Sequence, residues 1–521
     1  MKIFLQFALL LCIAEVVQSQ EPRLFKLTDQ SLSPRLRSNS VNDLVAVNGT
    51  LWVAGGKGIS VTTDRGISWN NYANTGTFDE KGVSAIALRG RDIWIATSYT
   101  TKKDDQSFPT GHGLHYSSDA GVTWKFISQP LDAGKFDTLS YGNNKIAALA
   151  VTVPQQNLVY DIALTSNTVW IATWAGMLRK STDHGMTWQR VVLPPDNLNA
   201  ISPRDTLQFT MINVDRIVTN DATGKKDTLK GSNNFLLFSV LTTNDSTIWA
   251  GTANGINKST DGGISWRKFN HQNQKQPISG NFVVALAEQR WNNQSIIWAA
   301  TVNAVDQEEK RGVSFTTDGG ETWNTTLLGE FAHNFAFQDS LVYIVTDNGL
   351  FRSSNFGLSW IRNGTIVDPQ NRQRFTGSEL YAVATRGNTI WTGGPEGLAS
   401  TTDSPQESFG TQWSVFRTYL EVGSNAATYS YPLPFSPDDE AVRLHYSTNN
   451  KTAAVTIRIF NFAMQPVRTL IRNAIRSGLI EHDEIWDGKD DSNRSVANGA
   501  YFYRIEIEGG NTLWGKILVI Q

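Results

Sequence analysis

Short apolar runs alternate with polar turns along most of the chain, and the runs are registered by pairs of aromatic residues. The first member of each pair lies inside a strand-like stretch: Leu51-Trp52-Val53-Ala54, Ile93-Trp94-Ile95-Ala96, Val169-Trp170-Ile171-Ala172, Ile248-Trp249-Ala250, Ile297-Trp298-Ala299, Val342-Tyr343-Ile344-Val345 and Ile390-Trp391-Thr392. The second is a tryptophan that ends a polar turn: Trp69, Trp124, Trp188, Trp266, Trp323, Trp360 and Trp413. The pair intervals are 17, 30, 18, 17, 25, 17 and 22 residues. The shared minimum of 17 marks the compact unit, so the longer copies hold insertions between strands, at 97–112 and 302–311. A further apolar run precedes each pair, as in Asp43-Leu44-Val45-Ala46-Val47 and Asp161-Ile162-Ala163-Leu164. Each unit therefore reads as four short strands with tight turns.

The turn before the second tryptophan has its own phrase, Ser/Thr-x-Asp-x-Gly-x-Ser/Thr-Trp. Its clearest copy is Thr62-Thr63-Asp64-Arg65-Gly66-Ile67-Ser68-Trp69. The acidic position is filled by Asp64, Asp119, Asp183, Asp261 and Asp318, by Asn355 in the sixth copy, and by Asp403 in a stretched seventh. In such a hairpin the carboxylate accepts backbone N–H groups of its own turn and the glycine supplies a positive φ. The tryptophan buries a large apolar area. These groups read as structural. One short unit cannot bury its apolar face alone, so seven copies predict an all-β, seven-bladed β-propeller. The Trp-to-Trp steps vary from 37 to 78 residues, a spread that falls on connecting loops, where added length costs little.

The phrase resembles the Asp-box, or bacterial-neuraminidase, repeat of sialidases, two-propeller xyloglucanases, sortilin-like receptors and photosystem-assembly-factor-like proteins. The resemblance covers roughly residues 40–415. It implies the fold and no particular activity.

Met1-Lys2, the apolar run 3–14 and Val17-Gln18-Ser19 read as a secretory signal peptide, residues 1–19, too short in its apolar core to span a membrane. Cys12 is the sole cysteine and lies inside it, so the processed chain has no disulfide and no cysteine-based metal site. The propeller is expected over 20–423, a small polar linker over 424–430, and a β-sandwich over 431–521. In the tail Tyr501, Tyr503, Ile505 and Ile507 alternate with Arg504, Glu506 and Glu508. Tyr431-Pro432-Leu433-Pro434-Phe435, Trp486-Asp487-Gly488-Lys489-Asp490 and Asn498-Gly499-Ala500-Tyr501 resemble the C-terminal sorting domains of type IX secretion cargo. Those domains are related to the immunoglobulin-like domain of flagellar hook-capping proteins. Leu433 and Ser436 stand where Asn is usual there, and Ala463-Met464 replaces a customary Gly. The resemblance implies a bacterium of the Bacteroidota or a neighbouring phylum, with export to the cell surface or medium and the secretion machinery as a partner.

A net charge of −2 with no basic tract gives no reason to expect nucleic acid or an anionic membrane as partner. Lys225, Lys226 and Lys230 fall in a polar stretch, 220–234, that reads as an exposed hairpin. His112-Gly113-Leu114-His115 is the only metal-like histidine spacing, and on a regular strand residues three apart point to opposite faces. No cofactor or metal is expected. Asp487 to Asn493 reads as a polar turn, with a Ca²⁺ loop as the alternative. The sialidase arginine signature is missing; the nearest string is Pro34-Arg35-Leu36-Arg37-Ser38. Asp43 and Asp161 begin inner strands and are the candidate acids of a glycoside hydrolase, the alternative to a non-catalytic module that binds a protein or glycan on a propeller face.

Overall fold

A computed structural model describes residues 23–26, 33, 35–72, 78, 81–134, 136–219, 226–304, 306–404, 408–418 and 428–521. The expected signal peptide, with Cys12, and residues 424–427 of the expected linker lie outside the described residues.

Seven successive antiparallel sheets contribute four consecutive strands each. Blade 1 runs Val41–Val47, Thr50–Gly55, Gly58–Thr62 and Asn70–Tyr72, and blade 7 runs Ala382–Arg386, Thr389–Gly394, Gly397–Thr402 and Trp413–Phe416. The inner strands between them are Gly82–Arg89, Val159–Leu164, Leu237–Thr242, Phe282–Trp291 and Ala332–Gln338. Inner strands pack on their neighbours in chain order, and Val41–Val47 packs on Ala382–Arg386. The ring thus closes by side-chain packing, and among the described residues no strand is exchanged between the first and last blades. Leu36, Val41, Leu51 and Trp69 meet Ala382, Trp391 and Leu398 in one buried cluster at the seam. Two blades gain a fifth outer strand, Arg23–Lys26 on blade 2 and Ala200–Ile201 on blade 4.

The two aromatic registers interlock between blades. In the turns of blades 1 to 6 the box glycine has positive φ, from +78° at Gly357 to +100° at Gly320, and lies against an aromatic or apolar side chain of the preceding blade. A Cβ on Gly66 would sit 2.5 Å from Phe416, on Gly121 3.0 Å from Trp52, on Gly185 3.1 Å from Trp94, and on Gly263 2.5 Å from Trp170. The box tryptophans extend the contact: Trp188 stands edge-on to Trp94 at 6.4 Å and Trp323 to Trp249 at 6.5 Å. Trp69, Trp124, Trp266, Trp323 and Trp413 are buried, whereas Trp188 and Trp360 remain half-buried.

The tail forms two facing sheets. Thr428–Tyr431, Val442–Tyr446 and His482–Trp486 make one; Pro466–Arg476, Ala453–Phe460, Gly499–Ile507 and Leu513–Val519 make the other. Tyr501, Tyr503, Ile505 and Ile507 point into the shared core with Trp486 and Phe435. The first of these strands begins at Thr428, so Thr428, Tyr429 and Ser430 belong to the sandwich and not to the linker expected over 424–430. Thr428 is fixed there by a hydrogen bond to His445 O (2.7 Å).

Candidate binding face and central channel

In a blade of four up-and-down strands, the turns between strands one and two and between three and four lie at one end. The turn between two and three, and the link to the next blade, lie at the other. The long insertions all fall at that second end. The hairpin Asp92–Lys103/Gln106–Ser117 joins strands two and three of blade 2, and residues 303–311 join those of blade 5. The hairpin Phe136–Tyr141/Asn144–Leu149, with Thr210–Met211 added in parallel, arises from links between blades. So do Arg216–Thr219/Lys226–Leu229 and Val367–Asp368/Gln373–Arg374. Residues 220–225, including Lys225, lie outside the described residues, while Lys230 pairs with Asp215 at 2.8 Å. The Asp-containing hairpins occupy the opposite end, where turns between strands one and two are short.

Six inner strands share one irregularity. The register slips by a residue between Val41 and Asp43, Val83 and Ala85, Val159 and Asp161, Leu237 and Ser239, Val283 and Ala285, and Ala332 and Asn334. Such bulges re-aim side chains. Near them, on the insertion-bearing face, partly exposed aromatic rings from adjacent blades meet: Tyr160 with Phe238 at 5.4 Å, Phe238 with Phe282 at 4.2 Å, and His333 with Tyr381 at 5.3 Å.

Asp43 and Asp161 follow two of the bulges. Asp43 accepts the N–H of Leu44 (2.8 Å), the Asn334 amide (3.2 Å), and the backbone N–H of Ile86 in blade 2. Asp161 accepts the N–H of Ile162 (2.8 Å) and of Val240 in blade 4 (2.9 Å). Each carboxylate thus ties its own strand to the inner edge of the next blade. Burial pushes Asp43 up to about 6 and Asp161 up to about 7, and the charge on Asp43 adds to the rise at Asp161. A cavity of about 690 Å³ opens toward the end that carries the Asp hairpins, with Asp161 in its wall and Arg89, Asp245 and Arg290 near its mouth. Arg89 is held by Asp245 (3.1 Å) and Leu164 O (3.2 Å), and Arg290 by Glu288 (2.9 Å) and Thr243 O.

The carboxylates of the repeated Asp hairpins are occupied within their own turns. Thr62 Oγ1 donates to Asp64 Oδ1 (2.8 Å) and accepts the Gly66 N–H (2.9 Å); Asp64 accepts Ser68 N–H (3.0 Å) and Oγ (2.5 Å). The same pattern recurs at Asp119, Asp183, Asp261 and Asp318. The Ser68 hydroxyl and N–H hold Asp64 down at about 2, against slight desolvation. At the sixth copy Asn355 Oδ1 accepts Ser353 Oγ (3.0 Å) and Ser359 N–H (2.9 Å), and its Nδ2 donates to Ser359 Oγ (2.8 Å).

The seventh copy departs from this pattern. Asp403 is buried and accepts Tyr343 Oη (2.6 Å) and Arg352 Nε (2.7 Å) from blade 6, so it joins two blades. Thr401 bonds Gln412 O instead (2.7 Å). His112 and His115 also depart from the strand rule. Ser98 pairs with Gly111 and Thr97 with Gly113, so His112 bulges out. Both rings reach Thr97 Oγ1, at 3.1 and 3.3 Å. Burial drives His115 down to about 3, and among the described residues no group of three metal-ligating side chains forms. Around 487–493 the acids bond within the protein, Asp490 accepting Ser492 and Arg494 N–H of its own turn and Asp491 accepting Thr469 N–H from the strand Pro466–Arg476.

No protein-family model matches the chain, and no curated protein matches it in sequence. Solved propellers resemble it in shape. YCF48 from Cyanidioschyzon merolae is 18% identical, covering 71% of this chain and 98% of its own, with a TM-score of 0.41. The Niastella koreensis GH74 enzyme is 13% identical over 92% of this chain and 72% of its own, at 0.47. PorZ, a surface component of the type-IX secretion system of Porphyromonas gingivalis, is 12% identical over 92% and 87%, at 0.24. At these identities the assignment of an all-β, seven-bladed propeller stands on the sheet order itself. Among the described residues no helix is long and apolar enough to cross a membrane.

Proposed function

We propose that the chain is a secreted or surface-displayed Asp-box propeller that binds a protein or glycan on its insertion-bearing face without catalysis. Its C-terminal sandwich then acts as the export signal read by a type IX-like secretion machinery. The observation that carries the binding reading is the gathering of every long insertion, together with the bulge-flanking aromatics Tyr160, Phe238, His333 and Tyr381, on one face. Variable loops on a rigid scaffold are where recognition is built. The box acids Asp64, Asp119, Asp183, Asp261 and Asp318 and the amide Asn355 are structural, their acceptors being used locally. The hydrolase reading keeps one specific support: Asp161, lifted to about 7, lines a cavity.

Affinity gel electrophoresis on xyloglucan, xylan and pullulan, with a reducing-end assay on the same samples, separates the two. Retardation lost in a Tyr160→Ala/Phe238→Ala/Tyr381→Ala variant, without new reducing ends, is expected of a glycan binder. Reducing ends that vanish in Asp161→Asn would establish the hydrolase. In the natural host, a chain lacking residues 428–521 is expected to stay in the periplasm; normal export of that chain would refute the sorting role.

A further inference from the structure

The cleft between propeller and sandwich is lined by four guanidinium groups and a single carboxylate. It has a volume of about 520 Å³. Arg35 comes from the segment before blade 1, Arg65 from the blade 1 Asp hairpin, Arg417 from the end of blade 7, and Arg443 from the sandwich strand Val442–Tyr446. Leu36, Ile67 and Ile485 supply apolar wall, and Ile67 is 78% exposed.

The arginines are not equivalent. Arg417 is neutralised by Glu396, which accepts from it at its carboxylate (2.9 Å) and its carbonyl (2.6 Å). Arg35 is paired with Asp483. Asp483 also accepts Tyr431 Oη (2.9 Å) and bonds His445 Nδ1 (2.9 Å). His445 is fully buried, and its second nitrogen meets Glu481 (2.8 Å). The acid in the cleft is thus already engaged by Arg35, Tyr431 and His445. Arg443, 9% exposed, gives one N–H to Asn371 O (2.8 Å) and has no carboxylate partner among the described residues. Arg65 has none either and stands exposed on its hairpin. Desolvation depresses Arg443 below its ordinary range, outweighing the attraction of the Asp483 and Asp368 charges. A guanidinium held in this way presents its remaining N–H fork to whatever enters the cleft, and that fork matches an oxyanion.

We infer that the cleft between blades 7 and 1 and the sandwich is a ligand site for an oxyanion, a carboxylate or phosphate carried by a small molecule with some apolar surface. Arg443 and Arg65 provide the charge-assisted hydrogen bonds. The walls belong to separate parts of the chain, so an occupant bridges the propeller and the sandwich. Asn371 and Gln373 of the insertion between blades 6 and 7 form part of its wall, but none of the aromatics Tyr160, Phe238, His333 and Tyr381 lines it, so it does not depend on the reading given to those rings.

Isothermal titration calorimetry on the full chain at low ionic strength tests it with three probes: inorganic phosphate, digalacturonate and, as a neutral disaccharide, lactose. Phosphate, digalacturonate or both should bind, identifying the source of the oxyanion, and lactose should not. Arg65→Ala and Arg443→Gln should each weaken binding by about tenfold or more, the worth of one hydrogen bond to a charged group. Arg494→Ala, a surface arginine of the sandwich, should leave it unchanged. Arg65 is exposed and unpaired, so its variant folds even if Arg443→Gln does not. Absence of binding by both anionic probes, or equal binding by wild type and Arg65→Ala, overturns the assignment.

Discussion

At the scale of single residues, carboxylates of one type do opposite work depending on what surrounds them. In the box turns, donors from Ser or Thr gather round the acid and favour its ionised form. Asp119 is held near 2 although burial opposes the shift, because Thr123 and Ser117 donate to it. Asn355 shows that the charge itself is dispensable, since an amide keeps both acceptor bonds and reverses one donor. Asp119→Asn should therefore cost under about 1 kcal/mol and Asp119→Ala about 1–3 kcal/mol in urea denaturation, the larger figure reflecting N–H groups left unpaired. In the channel the sign is reversed. Asp64 has a folded value of about 2 against 3.8, so its contribution is present above about pH 4 and lost as pH falls toward 2. Asp43 and Asp161 have folded values of about 6 and about 7, so the folded state prefers them protonated. Their contribution is complete below about pH 4 and fades as pH rises through 6 to 7. The melting temperature should thus peak between these limits and decline from pH 5 to 8, and the double variant Asp43→Asn/Asp161→Asn should flatten that decline. A wild-type profile already flat over the interval would show that the channel acids ionise freely.

At the scale of the blade, the sequence made the strand count, the glycine turns and the Asp hairpins readable, because each depends on residues close together in the chain. The bulges in the inner strands were not readable. At three of the six, Asp43, Asp161 and Asn334 reach backbone or side chains in other blades, and no local pattern encodes such contacts. Asp403 misled for the same reason: residues 401–403 spell a box, but the decisive partners Tyr343 and Arg352 are in the previous blade. His112 and His115 meet at Thr97 through a bulge that alternation alone does not foresee. The spacing of the two aromatic registers did carry a hint, since in blades 2, 3, 4 and 6 the box glycine rests on the strand-two tryptophan of the blade before. Gly263→Ala tests this. Its Cβ would fall 2.5 Å from Trp170 at a φ of +81°, so about 1–3 kcal/mol of overpacking should add to the backbone strain. Gly262→Ala, at +75° with open space around it, should show only the strain, about 1–2 kcal/mol. Equal losses in thermal denaturation would mean that the blades do not interlock at the glycine.

For the whole molecule, the open issue is whether the propeller needs the sandwich. The link between the two falls where sequence signals were weakest, and the first sandwich strand starts at Thr428 inside what reads locally as a polar linker. The cleft arginines were equally hidden, being spread from Arg35 to Arg443 with nothing in their local context to group them. Several bonds cross the boundary: Arg35 to Asp483, Arg374 to Asp439, Arg372 to Pro437 O (2.7 Å) and Arg443 to Asn371 O (2.8 Å). They are polar, and most involve side chains with solvent access, so each is worth little on its own. The apolar clusters tell a different story. The seam of the ring draws its buried residues from 36–398, and the sandwich core draws its own from 435–519. Neither cluster borrows a residue from the other part. Deleting residues 428–521 should therefore leave a cooperative, native-like propeller whose tryptophan emission stays blue-shifted and whose midpoint drops by a few degrees, as expected for the loss of about 1–2 kcal/mol of polar contacts. Arg35→Ala in the full chain should reproduce part of that drop and be silent in the truncated one. A truncated chain that aggregates or melts without cooperativity would show that the ring is closed by the sandwich rather than by the packing of blade 7 on blade 1.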